Sequence, residues 1–166
     1  MKKETLKQLI EKCKFFWVNS DITDENFPKP DKIETKNWKI IRMDKRFTSQ
    51  EALDEIKKQG CRPANCWELA KFILDYKEEA KNNEYLVAFG QQWVDSDGRH
   101  RVPGVYRYSD GVFLFDLGLF GCDWGGDDCL LCFCDSSSDT QTLDNSSLEL
   151  RLTKVEQFLK DNFNKF

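Results

Sequence analysis

The 166-residue chain contains a single histidine, His100. That scarcity excludes any metal site built from two or more imidazoles and leaves one imidazole for general-base chemistry. Basic residues are absent from one long stretch: between Arg107 and Arg151 there is no lysine or arginine. Asp110, Asp116, Asp123, Asp127, Asp128, Asp135, Asp139, Asp144 and Glu149 all fall inside it. With 25 basic against 29 acidic residues, the net charge of −4 gives no general electrostatic reason to bind a nucleic acid backbone. No apolar run approaches the ~20 residues of a membrane span, and the opening MKKETLKQLIEKCK is too charged for a signal-peptide core. The expectation is a cytoplasmic protein with neither a membrane nor a nucleic acid as partner. Glycine-rich phosphate loops are missing as well, so nucleotide binding through them has no support.

What is present describes one globular domain. Hydrophobic residues make up 40% of the chain and aromatics 13%, enough for a sizeable core. Apolar residues at Leu6, Leu9, Ile10, Cys13, Phe16 and Trp17 follow the stripe of an amphipathic helix, which makes residues 1–18 an N-terminal helical segment. The polar stretch from Asn19 to Pro30 then reads as a connecting loop, and residues 31–135 as the main domain. Trp38 to Arg42 is a strand candidate. Thr48 with Glu51, and Asn65 with Glu68, have capping-box spacing and predict two helices, the first stopped by Gly60.

From Tyr85 the period becomes strand-like, with glycine turns at Gly98 and Gly111. Cys129 to Asp135 is apolar on both faces and reads as a central strand. Residues 136–147 read as a surface loop. Residues 148–166 read as a closing strand and a helix capped by Thr153 and Glu156. Helices first, strands next and one helix last is the α+β arrangement.

The seven cysteines are Cys13, Cys61, Cys66, Cys122, Cys129, Cys132 and Cys134. An odd number fits reduced thiols packed as small hydrophobes. A zinc site among the last four is the competing reading, since they include one C-x-x-C step. Strand alternation opposes it: only Cys132 and Cys134 share a face cleanly.

Four further groups of residues carry chemistry. Asp123, Asp127 and Asp128 sit among glycines and form a candidate calcium site, although an EF-hand spacing is lacking. His100 with Cys61 or Cys66 has the residue types of a thiolate nucleophile and its base. Arg99, Arg101 and Arg107 are spaced to share a strand face and could hold an anion, unless a bulge at Pro103 and Gly104 turns Arg107 away or the acidic downstream segment neutralises them. Trp93 and Trp124 lie beside predicted loops, where an indole can stack on a ligand or simply pack into the core.

The phrase Gly60-Cys61-Arg62-Pro63-Ala64-Asn65-Cys66-Trp67-Glu68-Leu69, followed by Tyr85-Leu86-Val87-Ala88-Phe89, a glycine-turn strand pair and a tryptophan loop, resembles a pattern of small bacterial proteins. Those carry a G-x-R-P-A-T/N-x-x-E-L helix start. More distantly the order is similar to the C-type-lectin-like fold and its formylglycine-generating-enzyme-like branch. Asp123-Trp124-Gly125-Gly126-Asp127-Asp128-Cys129 resembles the closing tryptophan loop of C-type lectins, but glycines stand where calcium-dependent members have Asn and Asp. The resemblance implies a curled antiparallel sheet with flanking helices.

The resulting expectation is a non-catalytic module binding a protein or small ligand, with Trp93, Arg99, Arg101 and Trp124 as its contact residues. A small cysteine-dependent enzyme and a partner protein associating through its terminal helices are the alternatives.

Overall fold

The computed structural model describes residues 2–109 and 111–135. The loop, strand and helix expected over 136–166 lie outside the described residues. Almost all described residues belong to one compact unit, Met1–Cys134. Helix α1 (Leu6–Cys13) is opened by a capping box of Thr5 and Gln8 and stopped by Lys14 in the left-handed region. The apolar stripe therefore overruns the helix. Phe16 and Trp17, expected on its buried face, are exposed, and Trp17 opens the short strand β1 (Trp17–Val18).

Strand β2 (Trp38–Arg42) and helix α2 (Ser49–Lys58) follow, the latter closed at Gly60 with φ +73°. A short β3 (Cys61–Pro63) leads through the Asn65 cap into α3 (Cys66–Asp75) and the single-turn α4 (Lys77–Ala80). The remaining strands are β4 (Tyr85–Val87), β5 (Trp93–Val94), β6 (His100–Ser109), β7 (Val112–Leu119) and β8 (Asp128–Cys134). Both predicted capping boxes are formed, and Gly98 and Gly111 take positive φ in the turns.

The chain is mixed α+β, built on one open sheet in the order β1-β7-β6-β4-β8-β2, with β3 on β8 and β5 on β6. The sheet is not purely antiparallel as expected: β1 runs parallel to β7, and β4 parallel to β8. The reason lies in β8, which comes last among the described strands yet enters between β4 and β2. It pairs with β2, β3 and β4, and Cys129 to Phe133 are all buried, as a central strand requires.

Side-chain alternation sends the sheet's residues into two cores. Leu86, Val105, Phe115, Cys129, Leu131 and Phe133 meet α1 and α3 on one face. Leu6, Leu9, Ile10 and Cys13 are buried in that core, so the apolar face of α1 is used within the chain. On the other face Val87, Leu130, Cys132 and Ile41 meet Ala52 and Ile56 of α2, together with Phe47 and Trp124.

Glu68, in the first turn of α3, is fully buried. Arg62 donates to both of its oxygens, at 2.8 and 2.7 Å. The backbone N–H groups of Asn65 and Glu34 donate to it at 3.2 and 2.7 Å. Arg62 is half exposed and can rehydrate, so removing the carboxylate leaves chiefly the buried backbone donors short of an acceptor, at a cost of about 1–3 kcal/mol. Glu68→Gln is expected to lower stability by that amount, measured as a urea midpoint at constant slope. A loss below about 1 kcal/mol would show that the network is dispensable.

Candidate functional site

On the α2 face, one row of register partners runs Trp17, Leu114, Tyr106, Tyr85 and Asp128 across five strands. Within the row, Tyr85 belongs to the second core. Toward β1 the row becomes open: Tyr106 is 40% exposed and Trp17 48%. Tyr108, one row further along β6, is 71% exposed and its ring stacks on Phe16.

Between these strands lies a cleft of about 510 Å³ lined by Glu84, Tyr85, Tyr106, Arg107, Tyr108, Ser109 and Asp128. The rings of Tyr85 and Tyr106 stack with centroids 3.8 Å apart. Tyr85 fits because Gly104 and Gly118 have no side chains. A Cβ on Gly104 would strike the Tyr85 ring and hydroxyl, and one on Gly118 would come 2.6 Å from the Trp124 ring. The Tyr85 hydroxyl is buried without a hydrogen-bond partner among the described residues. Burial pushes its pKa well above the usual tyrosine value, and the stacked Tyr106 adds to the shift.

Asp128 lines the same cleft, half-buried, with one carboxylate oxygen accepting from the Gly125 N–H at 2.8 Å. Burial raises its pKa and the charges of Asp127 and Glu84 raise it further, while the Gly125 N–H opposes them. Among the described residues the one cation lining the cleft, Arg107, donates to the Lys81 carbonyl. The site therefore combines aromatic faces with two neighbouring carboxylates.

The residues expected to bind a ligand divide between two places. Trp93, Arg99 and Arg101 do meet, in a second cleft of about 430 Å³ with Asn19, Asp95, Asp97 and Asp116. Its two arginines are paired within the cleft. Asp95 accepts from Arg101 at 2.9 Å and from Arg99 at 3.2 Å, and Asp97 accepts from Arg99 at 2.8 Å. The arginines' partners are thus the turn aspartates upstream, not the acidic segment downstream. Arg107 does not join them.

Trp124 is buried and belongs to the second core, its Nε1 donating to Ser49 Oγ at 2.8 Å. It is a packing residue rather than a ligand contact. Asp123, Asp127 and Asp128 are not gathered around a common point. Asp123 pairs with Arg46 at 3.2 Å and Asp128 closes the turn from Gly125. Among the described residues the one grouping with metal-ligand spacing is Cys61, Cys132 and Cys134.

Two of the cysteines expected to be reduced are joined: Cys61 and Cys134, 73 residues apart, are register partners on β3 and β8 and form a disulfide. The C-x-x-C pair is split by the sheet as alternation requires, with Cys129 in the first core and Cys132 in the second. Cys66 is fully buried, and burial drives its thiol far above the usual range, so it holds its proton. His100 is exposed, with Nδ1 3.1 Å from Gln92 Oε1. Among the described residues the side-chain hydrogen bond of that imidazole goes to Gln92 and not to either cysteine.

The sequence reading missed Tyr85, Tyr106, Tyr108 and Glu84. Even spacing of Tyr106 and Tyr108 along one strand was the available signal, but the cleft depends on cross-strand register. No family model, curated protein or solved structure matches this chain. Among the described residues no helix is long and apolar enough to cross a membrane.

Two expectations follow from these geometries. Tyr85→Phe removes an unpartnered buried hydroxyl and should leave stability unchanged or raise it by about 1 kcal/mol. Gly104→Ala should lower it by about 1–3 kcal/mol through overpacking. Urea midpoints in the opposite order would contradict the packing described. Asp95 supplies a pH signature: the Arg99 backbone N–H, aided by the Arg101 side chain, holds its pKa at about 2, against 3.8 ordinarily. Its contribution is present above the higher value and lost as pH falls through the lower. The midpoint gap between the parent protein and Asp95→Asn should accordingly be largest near neutrality and shrink across that acid window. A gap independent of pH would count against the assignment.

Proposed function

We propose that the domain is a non-catalytic binding module whose ligand site is the tyrosine cleft, and that its ligand presents a positively charged nitrogen. The observation that carries this reading is the pairing of exposed tyrosine faces with Asp128, whose pKa is raised first by burial and then by Asp127 and Glu84. A cation between Glu84 and Asp128 relieves the repulsion that raises the Asp128 pKa. Tyrosine faces attract the same cation through their quadrupoles, at about 0.5–2 kcal/mol each. The Trp93 cleft is less suited to a cation, because Arg99 and Arg101 already occupy its Asp95 and Asp97.

We also read the sheet as a C-type-lectin-like curl. What supports this is the order of elements: a helix opened by Pro63, Asn65 and Glu68, a sheet, then the apolar β8 after a tryptophan loop. The reading of the chain as a cysteine-dependent enzyme has less support, given the bonded Cys61 and the buried Cys66.

Two isosteric probes test the binding reading: Nα-acetyl-lysine amide, and Nα-acetyl-2-aminoheptanoic acid amide, in which a methyl group replaces the ammonium. Heteronuclear NMR titration should move the Tyr106, Tyr108 and Asp128 amides with the lysine probe only, and Tyr106→Ala should abolish the response. Equal responses to both probes, or none to either, would overturn the proposal.

A further inference from the structure

Cys132 is a third sulfur beside the disulfide. It lies two residues from Cys134 on β8 and faces the same way, and Cys61 is the cross-strand partner of Cys134. The Sγ atoms of Cys61, Cys132 and Cys134 all lie within 4.8 Å of one another. We propose that, once the Cys61–Cys134 bond is reduced, these three sulfurs bind one soft, thiophilic d10 cation.

A metal–thiolate bond of about 2.3 Å puts sulfurs that share an ion roughly 4 Å apart. The Cys132 sulfur already lies within 4.8 Å of the other two, and reduction frees the Cys61 and Cys134 sulfurs to part from bonding distance to that spacing by side-chain rotation. The chemistry selects the metal class as well. Among the described residues no histidine or carboxylate joins the group, and a ligand set of sulfur alone favours soft cations over calcium or magnesium. Cys132 is held in place by backbone as well as packing: it is fully buried, and its thiol donates to the Lys39 carbonyl at 3.3 Å.

Thiolate is the ligand form, so cation binding displaces thiol protons and the affinity rises with pH. The disulfide form offers no equivalent site, since two of the three sulfurs are then bonded to each other. The site is thus available only to the reduced chain.

This proposal is independent of the tyrosine cleft, which shares none of its residues. The test uses the full chain carrying Cys122→Ser, because Cys122 is the one exposed free cysteine among the described residues. A water-soluble phosphine reduces the disulfide: the phosphine takes oxygen from water to become its oxide, and the two sulfurs leave as thiols. Cadmium(II) is then titrated while the ultraviolet thiolate-to-metal charge-transfer band is followed, with circular dichroism reporting the fold.

The expected result is a band saturating at one equivalent in the reduced protein and absent from the oxidised one. Cys132→Ser keeps a donor for the Lys39 carbonyl and should weaken cadmium binding roughly tenfold or more. Equal binding by that variant would overturn the proposal. So would equal binding by the disulfide form, absence of the band, or loss of the native dichroism on reduction alone.

Discussion

The carboxylate of Glu68 is the contact on which the arrangement of the other parts depends. Its two oxygens receive the Arg62 guanidinium, the Asn65 N–H that opens α3 and the Glu34 N–H from the loop before β2. A single buried anion therefore joins β3 and the start of α3, which are adjacent in sequence, to the loop before β2, 34 residues away. The constraint propagates through β3. Arg62 lies opposite Phe133 in the β3/β8 ladder, so holding Arg62 also sets Cys61 against Cys134 and Pro63 against Cys132. The guanidinium stacks on the Phe133 ring at 5.3 Å, which ties the ion pair to the central strand itself. Desolvating a carboxylate is costly, and four donors are what make it tolerable here.

With β3 and α3 held in this way, the two faces of the sheet acquire different fates. The α1 and α3 face is closed along its length. On the other face, α2 reaches Val87, Leu130 and Cys132, and Trp124 covers the next part of the sheet. Beyond Trp124 the floor is made of Gly104 and Gly118, and Tyr85 lies flat in the space that they leave. The open tyrosine row is therefore a consequence of where the helical cover ends. Larger side chains at either glycine would displace Tyr85 or Trp124 and disturb the wall between core and cleft.

Local signals in the sequence were read well, and long-range ones were not. The caps of α2 and α3, the glycine turns, the central position of β8 and the opposed faces of Cys129 and Cys132 all follow from spacing within a few residues. The N-terminal stripe misled because helical periodicity continues through Phe16 and Trp17, while Lys14 has already turned the backbone into the left-handed region. The Cys61–Cys134 pairing and the parallel β4/β8 ladder are choices of partner across 73 and about 40 residues. Neither leaves a local mark. The same holds for the buried charge pair, whose capping half was visible at Asn65 and Glu68 while its Arg62 half was not.

The two clefts show why internal pairing, more than the identity of the residues, decides what a surface can bind. In the Trp93 cleft the arginines offer cations, but Asp95 and Asp97 stand four and two residues before Arg99 and receive its N–H groups directly. A ligand anion there would have to displace carboxylates already held at hydrogen-bond distance, one of them with a pKa lowered to about 2. In the tyrosine cleft the balance is reversed. Asp128 has a single backbone donor, its proton is held more tightly than in water, and Glu84 lies exposed beside it. Binding free energy comes from interactions the free protein has not already made. Among the described residues of the acidic stretch between Arg107 and Arg151, Asp128 is the carboxylate that lines this cleft, beside the tyrosines that the sheet register brings to it.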